Sequence, residues 1–313
     1  MNGLIAVTDN EWFQFLSRQA DLDEVNFWQP AGPRPPRQLA AGEPVFFKHH
    51  KEDGGAIGGL GFFASFSASQ VWLAWEAFGP KNGAPDLASF CRTIDARRKK
   101  LGRGGGPVED HEIGCMMLSS PVFFRPNQAV NGPTDWSDPI VTGKYYDLAE
   151  GEGARIWRGC EERLVLPQEV ADRRRVEFPE ERYGDPIPLR RRLGQGIFRL
   201  AVTDAYGRAC AVTSEHSLPA LEAAHIQPFG EGGVHEVPNG LLLRSDIHRL
   251  FDRGYVGVTH DHRFVVSKRL KDDFANGRSY YPLHGREIRL PERVEEHPSP
   301  KWLEWHMGER FRG

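Results

Sequence analysis

Between Leu221 and Asp252 the chain leaves few choices of fold. Leu221-Glu-Ala-Ala-His-Ile-Gln-Pro228 is a strand-like run closed by proline, and a glycine loop from Gly230 to Gly233 follows it. Asn239-Gly-Leu-Leu-Leu243 is a second apolar run, and Ser245–Asp252 has the spacing of a short helix. A further strand-like run stands upstream at Ala209–Thr213. The order is hairpin then helix, a ββα unit. Its residues then suggest chemistry. His225 ends a strand, and an imidazole held toward solvent there takes a proton near neutral pH. His248 and Asp252 are four apart, so one helix face presents both to a single metal. Nitrogen with carboxylate oxygen suits a divalent ion that polarises a phosphate. Asn239 sits where an amide bridges the loop and fixes the hairpin. The candidate catalytic residues are therefore His225, Asn239 and His248. A lone histidine, or a His–Asp helix ion pair, is an ordinary structural feature; the joint spacing around Asn239 points to phosphodiester hydrolysis.

Leu221–Pro228, Asn239–Leu243 and Asp246-Ile-His-Arg-Leu-Phe-Asp252 together resemble the HNH family of ββα-metal nucleases, over residues 189–275. Gln195, Phe198 and Arg199, with Cys210-Ala-Val-Thr213, are similar to its restriction-type members. The resemblance implies His225 as general base, Asn239 as the middle asparagine, and His248 with Asp252 as metal ligands. Many members place Asp or His just before the base, where this chain has Ala224. Glu222 shares the strand parity of Ala224 and is the candidate replacement ligand. Magnesium-like ions keep several waters, so one Mg2+ or Mn2+ per site is expected.

At 313 residues the chain is long enough for two domains. Its net charge of −3 does not mark a nucleic-acid binder, but arginines crowd between residues 155 and 199. Many alternate with glutamates, as a solvated face would. Arg190, Arg191, Arg192 and Arg199 have no acid among them and are the candidate phosphate contacts. Cysteines at 91, 115, 160 and 210 form no CxxC pair, so neither structural zinc nor a disulfide framework is expected. No run reaches the roughly 18–20 apolar residues of a membrane span. The start, with Asp9 and Glu11 and no basic segment, does not read as a secretory signal, and a cytoplasmic location is expected.

Residues 1–150 read as an α+β domain. Strands are expected at Glu43–His49, Ile57–Phe66, Glu112–Leu118 and Pro121–Phe124, with helices at Ser67–Phe78 and Asp86–Leu101. Val25-Asn-Phe-Trp28, Gly42-Glu-Pro-Val-Phe-Phe-Lys48, Gly58-Gly-Leu-Gly-Phe62 and Trp136-Ser-Asp138 are similar to the PUA-like superfamily, particularly EVE and ASCH domains, with SRA domains as relatives. The resemblance implies a small β-barrel with a pocket for a flipped, modified base. Candidate walls are Trp28, Phe47, Trp75 and Trp136, with Asp138 reading the base edge. A helical connector over 151–188, with helices at Ala154–Leu164 and Pro167–Arg175, leads to the nuclease domain and C-terminal extension at 189–313. That domain opens with an amphipathic helix over Leu189–Tyr206. His235, His260 and His262 lack such context and read as surface residues.

The sequence thus predicts a modification-dependent restriction endonuclease acting on double-stranded DNA that carries a modified base, such as a modified cytosine. Because one HNH site nicks one strand, a homodimer is expected. The alternatives are a non-catalytic reader of modified nucleic acid with a degenerate HNH domain, and an RNA-directed enzyme.

Overall fold

The computed structural model describes residues 1–137, 142–165, 187–188, 194–275 and 277–313. Asp138, Arg190, Arg191, Arg192 and the helix expected over Pro167–Arg175 lie outside the described residues. The chain divides into two compact units, Met1–Gly194 and Gln195–Gly313.

The first unit is a mixed sheet with helices on both faces. Its strands are β1 (Asn2–Val7), β2 (Glu24–Gln29), β3 (Pro44–Lys48), β4 (Ile57–Gln70), β5 (Glu112–Phe123) and β6 (Gly143–Asp147). They lie in the order β2-β5-β4-β3-β1-β6, with β1 and β3 parallel and the other pairs antiparallel. The expected closed barrel is not formed among the described residues. Closure requires the two end strands to pair with each other, and β2 and β6 each pair with one neighbour only.

The helices are α1 (Asn10–Leu16), α2 (Val71–Phe78), α3 (Leu87–Lys100) and α4 (Gly151–Glu161). Asp9 starts α1 by accepting from Trp12 N at 3.0 Å, and Asp86 starts α3 by accepting from Ser89 N at 2.7 Å, both ordinary N-caps. Alternation along the strands feeds two cores. Leu4, Ala6, Val45 and Phe47 join Trp12 and Leu16 of α1 on one face. Ile5 and Phe46 join Ile156 and Cys160 of α4 on the other. The helix that begins the expected connector therefore packs into the core of the first unit. A short parallel pair, β7 (Leu164–Val165) with β8 (Ile187–Pro188), follows it.

Two boundaries differ from expectation. Ser67–Gln70, read as the start of a helix, continues β4 because those residues pair with Glu112–Cys115 of β5. The two strands expected over 112–124 are a single strand, which passes Ser120 at φ 49°. Gly59 allows this close pairing, since a Cβ there would stand 2.2 Å from the Val122 carbonyl oxygen.

The second unit contains α5 (Gln195–Ala205), β9 (Leu221–His225), β10 (Gly240–Arg244) and α6 (Ser245–Asp252). Then come β11 (Val256–Val258), β12 (Phe264–Val266), α7 (Arg269–Phe274) and α8 (Pro300–Glu309). The hairpin is β9 against β10, with His225 opposite Gly240 and Leu221 opposite Arg244. Ala209–Thr213 is not a strand. Cys210 opens a turn closed by Ser214 N, and the segment meets β10 through Ala211 N, which donates to Leu242 O, and through Cys210 Sγ, which accepts from Arg244 N. Phe198, Val202 and Tyr206 cover the hairpin together with Ile247 and Phe251 of α6. From α8, the buried His306 ring stacks on Phe251 at 3.7 Å, and its Nε2 donates to Phe251 O at 3.0 Å. Burial pushes the His306 pKa down to about 4. No helix among the described residues is long and apolar enough to cross a membrane.

Candidate active site in the ββα unit

Asn239 is the side chain that shapes the site. It is fully buried just before β10. Its Oδ1 accepts from Gln227 N, and its Nδ2 donates to Gln227 O and Val234 O, each at 2.9 Å. Its backbone carbonyl accepts from Ile226 N at 2.9 Å. The amide is committed to the loop on both its oxygen and its nitrogen, so Asn239 acts on the backbone between the strands. The loop closes so tightly that a Cβ on Gly233 would fall 1.9 Å from Gln227 O.

His225 ends β9, half-buried against α5. Its ring lies flat on Phe198, with centroids 3.8 Å apart and planes 12° apart. Gly240, opposite it, makes room for this stack: a Cβ there would stand 2.5 Å from Val202 Cγ2 and 3.0 Å from the Phe198 ring. Nε2 of His225 is 2.9 Å from Nδ1 of His235. Burial above all, with smaller contributions from His235 and His248, pushes the His225 pKa down to about 4. The ring is therefore neutral at neutral pH, the form that accepts a proton.

On α6, His248 stands between two carboxylates. Its Nδ1 is 2.6 Å from Glu222 Oε2, and its Nε2 is 3.5 Å from Asp252 Oδ2. The carboxylates thus address opposite nitrogens of one ring. An ion held by Nε2 and Asp252 leaves Glu222 on the far nitrogen, where a carboxylate orients a metal-binding histidine rather than replacing a ligand. Ala224 is fully buried in the core and offers no donor. Among the described residues no group of three or more His, Cys, Asp and Glu side chains stands ready to hold a metal. The two donors on α6 fit a hard divalent cation that fills its other positions with water and phosphate oxygens.

The start of α6 is anchored by residues that the sequence reading missed. Arg244 donates to both Asp246 carboxylate oxygens, at 2.6 and 2.8 Å, and Tyr280 Oη donates to Oδ2 at 2.9 Å. The Arg244 guanidinium holds the Asp246 pKa down at about 2. The Arg-Ser-Asp step that opens the helix was the available signal. His235, expected at the surface, is half-buried and faces His225. His260 is exposed, while His262 is half-buried, with Nε2 3.2 Å from Pro298 O. Arg199, on α5, is half-buried.

The proposed base-pocket residues do not converge. Phe47 is fully buried and stacks between Phe27 and Phe123, with centroids at 6.1 and 5.4 Å, so it fills the core and cannot wall a pocket. Its place in the unbroken run Val45-Phe46-Phe47 was the signal, because such runs mark a strand buried on both faces. Trp28 and Trp75 meet at Phe90, at 5.8 and 6.0 Å, and Trp28 Nε1 donates to Asn82 O at 2.9 Å. Trp136 packs on the separate cluster containing Phe46, where Lys48 Nζ lies 4.8 Å from its ring centre.

The hairpin followed directly by a helix, with a histidine ending the first strand and a His–Asp pair on the helix, is the ββα arrangement expected from the sequence. Residues 210–259 match the family model described as HNH endonuclease, and this segment is an HNH endonuclease domain. Among solved structures the chain is similar to one titled modification-dependent TagI restriction endonuclease. The identity is 16% and the TM-score 0.27, over 87% of this chain and 64% of that one, so this chain spans less than two thirds of it. No curated protein matches.

Proposed function

We propose that this protein is a modification-dependent DNA endonuclease that cuts phosphodiester bonds with the HNH domain. The observation that supports it most is the placing of His225 and the His248–Asp252 pair on one ββα frame within the matched segment. His225 accepts the proton of the attacking water, and its neutral state at neutral pH suits that role. Nε2 of His248 and the Asp252 carboxylate would hold one divalent cation, Mg2+ or Mn2+, with Glu222 fixing the orientation of His248 through Nδ1. When bound, that ion supplies positive charge to the phosphate and to the departing oxygen. Asn239 keeps the loop closed so that His225 holds its place. Arg199, with Arg190, Arg191 and Arg192, contacts phosphates.

The first unit is assigned as the reader of a modified base, such as a modified cytosine, on its resemblance to PUA-like domains, with the Trp28–Trp75 side as the wall. Two copies acting together would cut both strands. The buried Ala224 favours one rival, a reader that binds modified DNA without cutting it.

The test is nicking of plasmids that differ only in cytosine modification, with Mg2+ or Mn2+ and with chelator. Cleavage confined to modified DNA, abolished by chelator and by His225→Ala with binding retained, is expected. Binding without any cleavage would establish the rival. Equal cleavage of all plasmids would remove the reader role.

A further inference from the structure

His225 touches a second histidine that the mechanism above does not use. Nε2 of His225 and Nδ1 of His235 are 2.9 Å apart, a hydrogen-bond distance that two ring nitrogens satisfy only when one bears a proton and the other a lone pair. Neither ring is loosely held. His225 lies flat on Phe198. His235 lies flat on Phe229, with centroids 4.6 Å apart and planes 7° apart, and the two imidazoles meet at 65°. The backbone beside His235 is pinned as well, because Asn239 Nδ2 donates to Val234 O.

The direction of that hydrogen bond decides whether His225 has a usable nitrogen. If His235 donates, Nε2 of His225 spends its lone pair and Nδ1 carries the proton, so the neutral ring has no basic atom left. If His225 donates through Nε2–H, its Nδ1 keeps a free lone pair. Only the second arrangement gives a base.

We propose that His235 is a positioning residue whose Nδ1 accepts from Nε2–H of His225 and thereby makes Nδ1 of His225 the basic atom. The proposal rests on the reading of His225 as the general base. It accounts for the proton fully. Water loses H+ to Nδ1 of His225, Nε2–H stays where it was, and His235 neither gains nor loses a proton. As the imidazolium forms, the bond to His235 becomes charge-assisted and strengthens roughly twofold. The partner thus favours the protonated state in the step where it is made.

The experiment is long-range 1H–15N NMR of the histidine rings in the full chain above pH 7, with the His225 signals identified by a His225→Gln variant. The Nε2–H tautomer of His225 is expected in the wild type, and a mixture of tautomers in His235→Ala. His235→Asn restores the single tautomer, because its side-chain oxygen can stand where Nδ1 stood. Single-turnover nicking is measured beside it. His235→Ala is expected to slow the chemical step by about 100-fold, the lower end of what a general base contributes, with the KM for DNA unchanged, and His235→Asn to recover most of the loss. An Nδ1–H tautomer of His225 in the wild type overturns the proposal, whether or not any variant folds. So does a His235→Ala protein with unchanged tautomer and rate, or a His235→Asn protein no better than His235→Ala. If the wild type nicks no DNA, the nuclease reading falls, while the tautomer measurement still decides the hydrogen bond.

Discussion

Replacing Asn239 tests the loop that holds the site together. Asn239→Ala removes three hydrogen bonds of 2.9 Å, two to Gln227 and one to Val234. Net contributions near 1 kcal/mol per bond give a loss of about 3 kcal/mol. At about 1.4 kcal/mol per decade, that is roughly a 150-fold rise in the open population of the loop. Local opening lets water reach the abandoned backbone groups, which keeps the cost near the sum of the bonds. Asn239→Asp is the sharper variant. It retains an oxygen for Gln227 N but sets a second oxygen against the carbonyls of Gln227 and Val234. A buried carboxylate facing acceptors is worse than a vacancy. Hydrogen exchange at the Gln227 amide is therefore expected to quicken by about two orders of magnitude in Asn239→Ala, and thermal stability to fall in the order wild type, Ala, Asp. Wild-type exchange at Gln227 in the Ala variant, or an Asp variant as stable as wild type, would show that the amide does not hold the loop.

Further perturbations address the other parts of the site. Glu222→Gln keeps the size of the side chain but weakens its hold on His248 Nδ1, so Mn2+ affinity measured by titration is expected to fall about 10–100-fold; unchanged affinity would leave Glu222 no role there. Gly240→Ala pushes Cβ into Val202 and the Phe198 ring, and a crystal structure of the variant is expected to show Phe198 displaced from His225. His306, with a pKa lowered from 6.5 to about 4, stays neutral in the fold while the unfolded chain takes up its proton. Its contribution to stability is complete above pH 6.5 and is lost as pH falls toward 4, by at most about 3 kcal/mol. His306→Gln is expected to flatten the fall of denaturation midpoint over that range, and an unaltered pH profile would count against a buried neutral ring.

The ββα order was legible because each element carries its own short-range mark. Proline ends the first run, Asn239-Gly240 opens the second, and His248 and Asp252 fall one helical turn apart. The contacts that give those residues their surroundings were not legible in the same way. His235 reaches His225 across a loop whose path is set by Asn239, and no periodicity encodes that path. Glu222 showed the right strand parity, but which nitrogen of His248 it meets depends on the register Glu222–Leu243 and on a rotamer. In the first unit, alternation revealed strands and could not reveal closure, since pairing between end strands is a long-range choice. Ser67 to Gln70 carries no strong strand mark, and its fate was decided by the partner residues on β5.

The contact of His306 with Phe251 sets how much chain the nuclease unit needs. The family match stops at residue 259, yet the turn after α6 is closed by residues some fifty positions further on. Arg312 N donates to Gly254 O at 2.9 Å, and Gly254 is bare of a side chain because a Cβ would lie 1.9 Å from Arg310 O. A fragment cut at the edge of the match would strip His306 from the face of the Phe251 ring it stacks on and remove its Nε2 donor to the Phe251 carbonyl, at the end of the helix that carries Asp252. The portable cassette therefore runs from α5 through Arg312, and a graft of the motif alone into another protein would carry the residues without the scaffold that aims them.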